Sequence, residues 1–169
     1  MRLGTLFSAL LVLGAFCGTS LAADLCEEYG KNKEFDKQIE ACTKNIEAGT
    51  DLYMSYDRRG SAYFEKGDNE KAAEDFAKAI GLEPRRKEAY LHRAHAYKKM
   101  EQLGNSILDF TKAIRLDPSD ASLFFERSLA YQSRGQYGDM ERADDDCGTA
   151  IRLDRKYKRL CVEQGYIGN

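Results

Sequence analysis

The sequence has few of the short patterns on which enzyme chemistry usually rests. It contains two histidines, His92 and His95, and neither lies near a cysteine in the sequence. It lacks the G-x-S-x-G elbow of a nucleophilic serine, a glycine-rich phosphate loop, an H-E-x-x-H helix and a C-x-x-C pair. These absences argue against an enzyme, so we expect a non-enzymatic protein with no catalytic residues and no cofactor.

The chain also lacks an excess of charge of either sign. Its 169 residues include 26 lysines and arginines against 28 aspartates and glutamates, which gives no general electrostatic attraction for nucleic acid. After residue 22 no apolar run is long enough to span a membrane. With 43% hydrophobic and 32% charged residues, the rest of the chain is typical of one soluble domain.

Residues 1–22 have a different composition from the rest. One arginine is followed by an apolar stretch, Leu3 to Cys17, and Ser20-Leu21-Ala22 has the small residues of a signal-peptidase site. We interpret this segment as a cleaved secretory signal, which leaves residues 23–169 as an exported protein of the periplasm or the medium. A retained membrane anchor is the alternative, although the apolar run is closer to about 15 residues than the 20 that a span needs.

A motif recurs along the chain with a step of 34 residues. Four tyrosines mark the step: Tyr29, Tyr63, Tyr97 and Tyr131. One copy contains Tyr56, Arg59, Gly60, Tyr63, Ala72, Phe76, Ala79, Ile80 and Pro84. The next contains Tyr90, Arg93, Ala94, Tyr97, Ser106, Phe110, Ala113, Ile114 and Pro118. A regular step of this length indicates a repeat architecture.

Within each copy the apolar residues follow the i, i+3, i+4, i+7 spacing of amphipathic helices. Small residues recur at fixed places and let two helices approach closely. Pro84 and Pro118 end one helix and suit the start of the next. Since no strand-like alternation interrupts the pattern, the sequence predicts an all-α fold.

The spacing of aromatic, small, alanine and proline positions closely resembles the tetratricopeptide repeat, a helix-turn-helix unit of about 34 residues. The resemblance implies a right-handed solenoid of antiparallel helix pairs in a single domain, 23–169. We expect this domain to contain three clear repeats, one degenerate N-terminal repeat and a C-terminal capping helix. We expect repeats near 23–50, 53–86, 87–120 and 121–157, and the capping helix at 157–166. The last repeat has three extra residues in its turn, most simply Gly138-Asp139-Met140.

Four cysteines remain after the leader is removed, and they form two pairs at opposite ends. Repeat positions place Cys26 opposite Cys42, and Cys147 opposite Cys161. Of the three possible connectivities we predict these two disulfides, which an exported protein can form. Their expected role is to staple end repeats that lack a neighbour. A redox pair or a metal site is the competing interpretation.

The resemblance also implies a binding site on the concave wall, which the first helix of each pair lines. We call the following eleven residues the predicted groove: Asp57, Arg58, Ser61, Phe64, Leu91, His92, His95, Lys98, Lys99, Phe125 and Leu129. An apolar strip beside lysines and histidines suits a protein segment with hydrophobic anchors and some acidic character. The alternative is that these side chains only support the helices. The partner is unknown, and a monomer is expected.

Some members of the family grip a C-terminal carboxylate with lysine and asparagine side chains. Here the corresponding positions hold Asp57, Ser61, Glu88 and Glu126. An anionic chain end would therefore meet mainly acidic groups, and we expect no clamp of this kind.

A second functional hypothesis uses the histidines. Glu88, His92 and His95 share one helical face, so a ligand- or metal-responsive site is possible there. The simpler interpretation is a polar ladder in which Arg58, His92 and Glu126 lie side by side on three helices. The acidic run Asp144-Asp145-Asp146 is interpreted as a solvated face.

Overall fold

The computed structural model describes residues 25–166, which form nine helices and no strand. The predicted signal at 1–22 lies outside the described residues. Helix α1 covers 25–31. The others are α2 (Phe35–Glu47), α3 (Leu52–Glu65), α4 (Asn69–Leu82), α5 (Lys87–Lys99), α6 (Leu103–Leu116), α7 (Ala121–Arg134), α8 (Asp139–Leu153) and α9 (Tyr157–Glu163).

The helices stack in chain order as antiparallel pairs. The most extensive packing joins α3 with α4, α5 with α6, and α7 with α8, and each pair also packs against the next. The prediction of an all-α repeat solenoid is confirmed. We refer to α1, α3, α5 and α7 as first helices and to α2, α4, α6 and α8 as second helices.

Small side chains set the distance between the helices of a pair. A Cβ atom at Gly60 would lie 2.8 Å from the ring of Phe76, and Phe76 is only 1% exposed. The corresponding Ala94 and Ser128 of the next pairs are fully buried. Because a larger residue here would push the two helices apart, the small positions in the motif follow from packing.

A ladder of buried ion pairs links the two helices in each of the last three pairs. Arg59 donates to both oxygens of Asp75, Arg93 to both oxygens of Asp109, and Arg127 to both oxygens of Asp146, at 2.7 to 2.9 Å. The three aspartates are buried. We call these six residues the arginine ladder. Bidentate geometry of this kind makes strong, directional hydrogen bonds.

The arginine ladder also reaches the preceding helix pair. Arg59 donates to the hydroxyl of Thr43 at 3.0 Å, and Arg127 donates to that of Thr111 at 2.9 Å. Asp146 is therefore a buried structural residue. The interpretation of the whole acidic run as a solvated face is wrong for this residue, although Asp144 and Asp145 are exposed.

The start of α8 carries a buried carboxylate, because Asp139 and Met140, which were predicted to lie in the turn, begin this helix. Asp139 is 0% exposed and accepts two hydrogen bonds from Arg134, at 2.9 and 2.6 Å, and one from the amide of Gln136 at 2.9 Å. These donors hold the pKa of Asp139 at about 2. The longer turn of the fourth pair is thus fixed by an internal ion pair.

Disulfide bonds join the helices at both ends. Cys26 is bonded to Cys42 and links α1 with α2, while Cys147 is bonded to Cys161 and links α8 with α9. All four cysteines are fully buried. At the C-terminal end Tyr157 and Tyr166 complete the same apolar cluster, so α9 covers the last helix pair as a cap.

Replacing Gly148 with alanine should stabilise the protein by about 1 kcal/mol, since glycine inside a helix has a high entropic cost. A Cβ atom at this position would meet only the flexible guanidinium of Arg152, at 3.6 Å. The corresponding position in α4 is already an alanine, Ala77. Chemical denaturation should show a midpoint at a higher denaturant concentration, while the dependence of the free energy of unfolding on denaturant stays unchanged. A lower midpoint would contradict the expectation.

Candidate binding groove

The eleven residues of the predicted groove lie on three first helices, α3, α5 and α7. Lys99 is exposed, Asp57 is buried, and the other nine are partly exposed. Most groove side chains therefore contact both the neighbouring helices and the solvent.

The apolar members of the groove are partly used in packing between helix pairs. Phe64 packs against a cluster formed by Phe76 and nearby alanines, and Leu91 packs against two clusters around α6. Phe125 packs against the C-terminal cluster, with its ring centroid 5.2 Å from that of Tyr157. These three side chains support the helices and present only part of their surface to a ligand. Leu129 is also partly exposed.

The polar members of the groove pair with charged residues of neighbouring first helices. Arg58 donates to Glu27 of α1. The Nδ1 atom of His92 lies 2.8 Å from a carboxylate oxygen of Asp57 in α3. Lys98 donates to Glu126 of α7 at 2.7 Å. Each pair joins two adjacent first helices, so the charges of the groove are largely balanced within the protein.

The predicted ladder of Arg58, His92 and Glu126 exists in a different register. His92 pairs with Asp57, and Arg58 and Glu126 have other partners. Long side chains reach across to positions 28, 31 or 35 residues away, whereas the prediction assumed that partners differ by the repeat length of 34. Each polar contact therefore joins residues that differ by one or more positions from the partners expected from the repeat length.

The histidines are placed by aromatic contacts as well as by acids. The ring of His92 lies 5.3 Å from that of Phe76, and the ring of His95 meets Phe110 edge-on at 5.5 Å. Glu88 is exposed. The structure does not gather Glu88, His92 and His95 into one ligand set. Between residues 25 and 166 no group of three or more His, Cys, Asp or Glu side chains is arranged to hold a metal ion.

Protonation of His95 should reduce stability in mildly acidic solution. Burial lowers the pKa of His95 below its usual 6.5, and the opposing effect of Glu126 is smaller. A base whose pKa is lower in the folded protein than in the unfolded chain destabilises the fold at acid pH. The free energy of unfolding should therefore fall as the pH drops below about 6.5, the pKa of unfolded histidine, and keep falling until the lower folded-state pKa is passed.

The test compares denaturation of the wild type and of His95→Gln between about pH 7.5 and about pH 5. We expect the wild type to lose stability relative to the variant as the pH falls. Equal losses in the two proteins would contradict a contribution from His95.

An open depression adjoins the groove near α1. It has a volume of about 400 Å³ and is lined by Glu27, Gly30, Lys33, Phe35, Gln38, Arg58, Ser61 and Glu65. Arg58 and Ser61 belong to the predicted groove, and the other lining residues lie outside it. The depression extends the candidate site toward the first helix pair.

Comparison with known families identifies the repeat. A family model described as "TPR repeat" matches residues 60–101, and one described as "Tetratricopeptide repeat" matches residues 87–120. Residues 60–120 of the chain therefore consist of tetratricopeptide repeats, as the motif predicts. No curated protein sequence matches the chain.

Solved structures share the same fold at low sequence identity. MamA 41-end from Desulfovibrio magneticus RS-1 superimposes with a TM-score of 0.76 at 17% identity, over 89% of this chain and 87% of that one. The first TPR of Spaghetti (RPAP3), bound to the HSP90 peptide SRMEEVD, superimposes with a TM-score of 0.64 at 22% identity, over 70% of this chain and 96% of that one. The second TPR domain of human RPAP3, in complex with the HSP70 peptide SGPTIEEVD, superimposes with a TM-score of 0.61 at 28% identity, over 66% of this chain and 91% of that one.

No helix within residues 25–166 is both long enough and apolar enough to cross a membrane.

Proposed function

We propose that the chain is a non-enzymatic interaction module that binds a segment of a partner protein in the predicted groove. The observation that carries this proposal is that two structures with the same fold hold peptides, SRMEEVD in one case and SGPTIEEVD in the other. A solenoid of helix pairs presents a long, rigid surface that suits this mode of recognition.

The pairing of charges within the groove constrains what the partner can be. Arg58, His92 and Lys98 each face a carboxylate of the protein itself. A ligand would gain little from these side chains unless it replaced the internal pair. Lys99 is exposed and offers one open positive charge. The groove therefore favours a segment with apolar anchors and modest acidity.

A C-terminal carboxylate is a poor ligand for this groove. Asp57 and Glu126 occupy positions where a carboxylate clamp would require neutral or basic side chains, and both are engaged with groups of α5. An internal segment of a partner avoids the repulsion that an anionic chain end would meet. We propose that the recognised segment is internal.

The proposed setting is the cell envelope, where the module acts as a scaffold in the periplasm or after secretion. The predicted signal at residues 1–22 and the two buried disulfides support an oxidising compartment. After signal cleavage the protein would have no segment inserted in a membrane.

Site-specific photo-crosslinking tests the location of the binding surface. A photoreactive amino acid at Ser61, Lys99 or Ser133 would report on the first helices, whereas the same group at Glu74 or Lys78 would report on an exposed part of α4. We expect one partner to be trapped in envelope fractions from the first-helix positions only. Equal trapping from α4 would place the interface elsewhere.

A matched pair of charge reversals then tests the groove without the photoreactive group. Lys99→Glu changes an exposed lysine of the groove, and Lys78→Glu makes the same change on α4. Once the trapped segment is identified, its synthetic peptide should bind Lys99→Glu more weakly, by about 1 kcal/mol or fivefold, and bind Lys78→Glu normally. The same affinity for both variants would remove Lys99 from the site.

A further inference from the structure

The depression of about 400 Å³ beside α1 has a buried glutamine, Gln38 of α2, in its lining. Gln38 is 5% exposed, and its side-chain amide has no hydrogen-bond partner within residues 25–166. Neither amide atom is sealed from solvent, so the small exposed part of the side chain includes the amide. Most buried polar groups are hydrogen-bonded within a protein. The amide of Gln38 instead keeps its donors and its acceptor open toward the depression.

The repeat pattern shows that the first helix pair is unusual at this point. In the later pairs the position of Gln38 holds a small buried residue of the second helix, and the position of Gly30 holds a larger side chain of the first helix. The small residues are Ala72, Ser106 and Ala143, and the larger ones are Phe64, Lys98 and Gln132. The two sizes are exchanged in the first pair. Gly30 therefore stands in the row of Phe64 and Lys98, two residues of the predicted groove, but has no side chain to place there.

The amide of Gln38 fills the space that Gly30 leaves. A Cβ atom at position 30 would lie 2.4 Å from Nε2 of Gln38 and 3.0 Å from its Cδ. Gly30 is part of α1, where alanine would be the better helix former, so helix propensity does not account for the glycine. The missing side chain lets a residue of a second helix reach the row that first helices otherwise line.

The rest of the lining is balanced in charge. It includes two charged residues of each sign, namely Lys33, Arg58, Glu27 and Glu65. Arg58 donates to Glu27, and Phe35, which is partly exposed, adds an apolar wall. A charged ligand group would be attracted and repelled to a similar extent. A neutral group that both donates and accepts hydrogen bonds would pair with the amide of Gln38.

We propose that this depression is a subsite for the primary amide of an asparagine or glutamine side chain in the bound segment, and that Gln38 recognises it. The amide of the segment donates to Oε1 of Gln38, and its oxygen accepts from Nε2. A primary amide has an N–H and its oxygen on one edge, whereas the N–H and C=O of a trans main-chain amide point in opposite directions. The inference rests on the proposed function, because it names a group within the segment that the groove binds.

Three blocked tripeptides test the subsite on the exported protein. They are acetyl-Ala-Xaa-Ala-N-methylamides with glutamine, methionine or glutamate in the middle, and they differ in one side chain of similar length. Heteronuclear NMR follows the side-chain amide of Gln38 during each titration. The glutamine peptide should give a saturable shift and bind at least about fivefold tighter than the other two, because it alone forms the paired hydrogen bonds. Equal binding of all three, tightest binding of the glutamate peptide, or no saturable shift would overturn the proposal.

Matched variants separate recognition from a structural role of Gln38. Gln38→Met keeps a similar length and removes the amide, so the preference for the glutamine peptide should disappear, with backbone resonances of Ser61 as the readout. The denaturation midpoint should not fall, because the amide has no partner to lose within the described residues. A lower midpoint with the preference retained would make Gln38 a structural residue and contradict the subsite.

Gly30→Ala should also weaken binding of the glutamine peptide, because the added Cβ displaces the amide of Gln38. Gly81→Ala is the matched control, since a Cβ atom at this position in α4 has no neighbour within 4 Å. It should leave the affinity unchanged. An equal effect of the two alanine variants would contradict the role of Gly30.

Failure of the subsite can be distinguished from failure of the proposed function. Photo-crosslinking from Lys99 and Ser133 reports whether a partner segment binds at all. A trapped segment that Gln38→Met binds as well as the wild type would overturn the subsite and leave the proposed function in place. A lack of trapping would contradict the proposed function, while the tripeptide titrations would still decide whether the depression selects a primary amide.

Discussion

Replacing Asp109 with alanine is expected to lower the free energy of unfolding by about 3–5 kcal/mol, the usual cost of removing one partner from a buried ion pair. Asp109 is 6% exposed and accepts hydrogen bonds from Nε and Nη2 of Arg93 at 2.7 and 2.9 Å. The truncation would leave the guanidinium of Arg93 without its buried counter-ion. Since α5 and α6 form a central pair, the loss should also weaken coupling to both neighbouring pairs.

Denaturant titration followed by circular dichroism measures this effect. Asp145→Ala removes an exposed aspartate from α8 and should change stability by less than about 0.5 kcal/mol. A second comparison replaces both partners with apolar residues, as Arg93→Met with Asp109→Leu. This double variant should recover much of the loss, because no unpaired charge remains. Similar stability of Asp109→Ala and Asp145→Ala would show that the ion pair contributes little.

The arginine ladder shows how far the sequence alone could lead. Arg59, Arg93 and Arg127 recur with the 34-residue step, and Asp75 and Asp109 do the same. This double periodicity was a usable signal for a contact between first and second helices. It was missed because a shared period does not say which positions touch. Asp146 was harder to assign, since the three extra residues shift it out of step and place it in a run of aspartates.

The fold was more predictable than the site, for a physical reason. Helix pairs of nearly constant length bury the same positions in every repeat, so the 34-residue period determines the architecture. A groove depends instead on which side of each half-buried residue meets solvent. Phe125 illustrates this limit, because Tyr157 of the capping helix lies against it, a contact between elements that the repeat pattern does not relate.

Removing the Cys147–Cys161 disulfide is expected to cost about 3 kcal/mol, since it closes a loop of 14 residues and restricts the unfolded chain. The bond joins α8 to α9, and α9 has only seven residues. A helix this short is not stable alone in water. Without the covalent link its position depends on a few contacts, chiefly those of Tyr157 and Tyr166 with the C-terminal cluster.

The double variant Cys147→Ser, Cys161→Ser should therefore combine global destabilisation with local fraying at the C-terminal end. Hydrogen exchange of the α9 amides should become faster than global unfolding explains, while α5 and α6 retain their relative protection. Cys26→Ser with Cys42→Ser is the matched control, because it removes a loop of similar length, 16 residues, from the other end. If both variants frayed at the same end, stapling of the nearest terminal helix would not be the role of these bonds. Fraying at opposite ends would show that each disulfide stabilises the terminal pair that has one neighbour fewer.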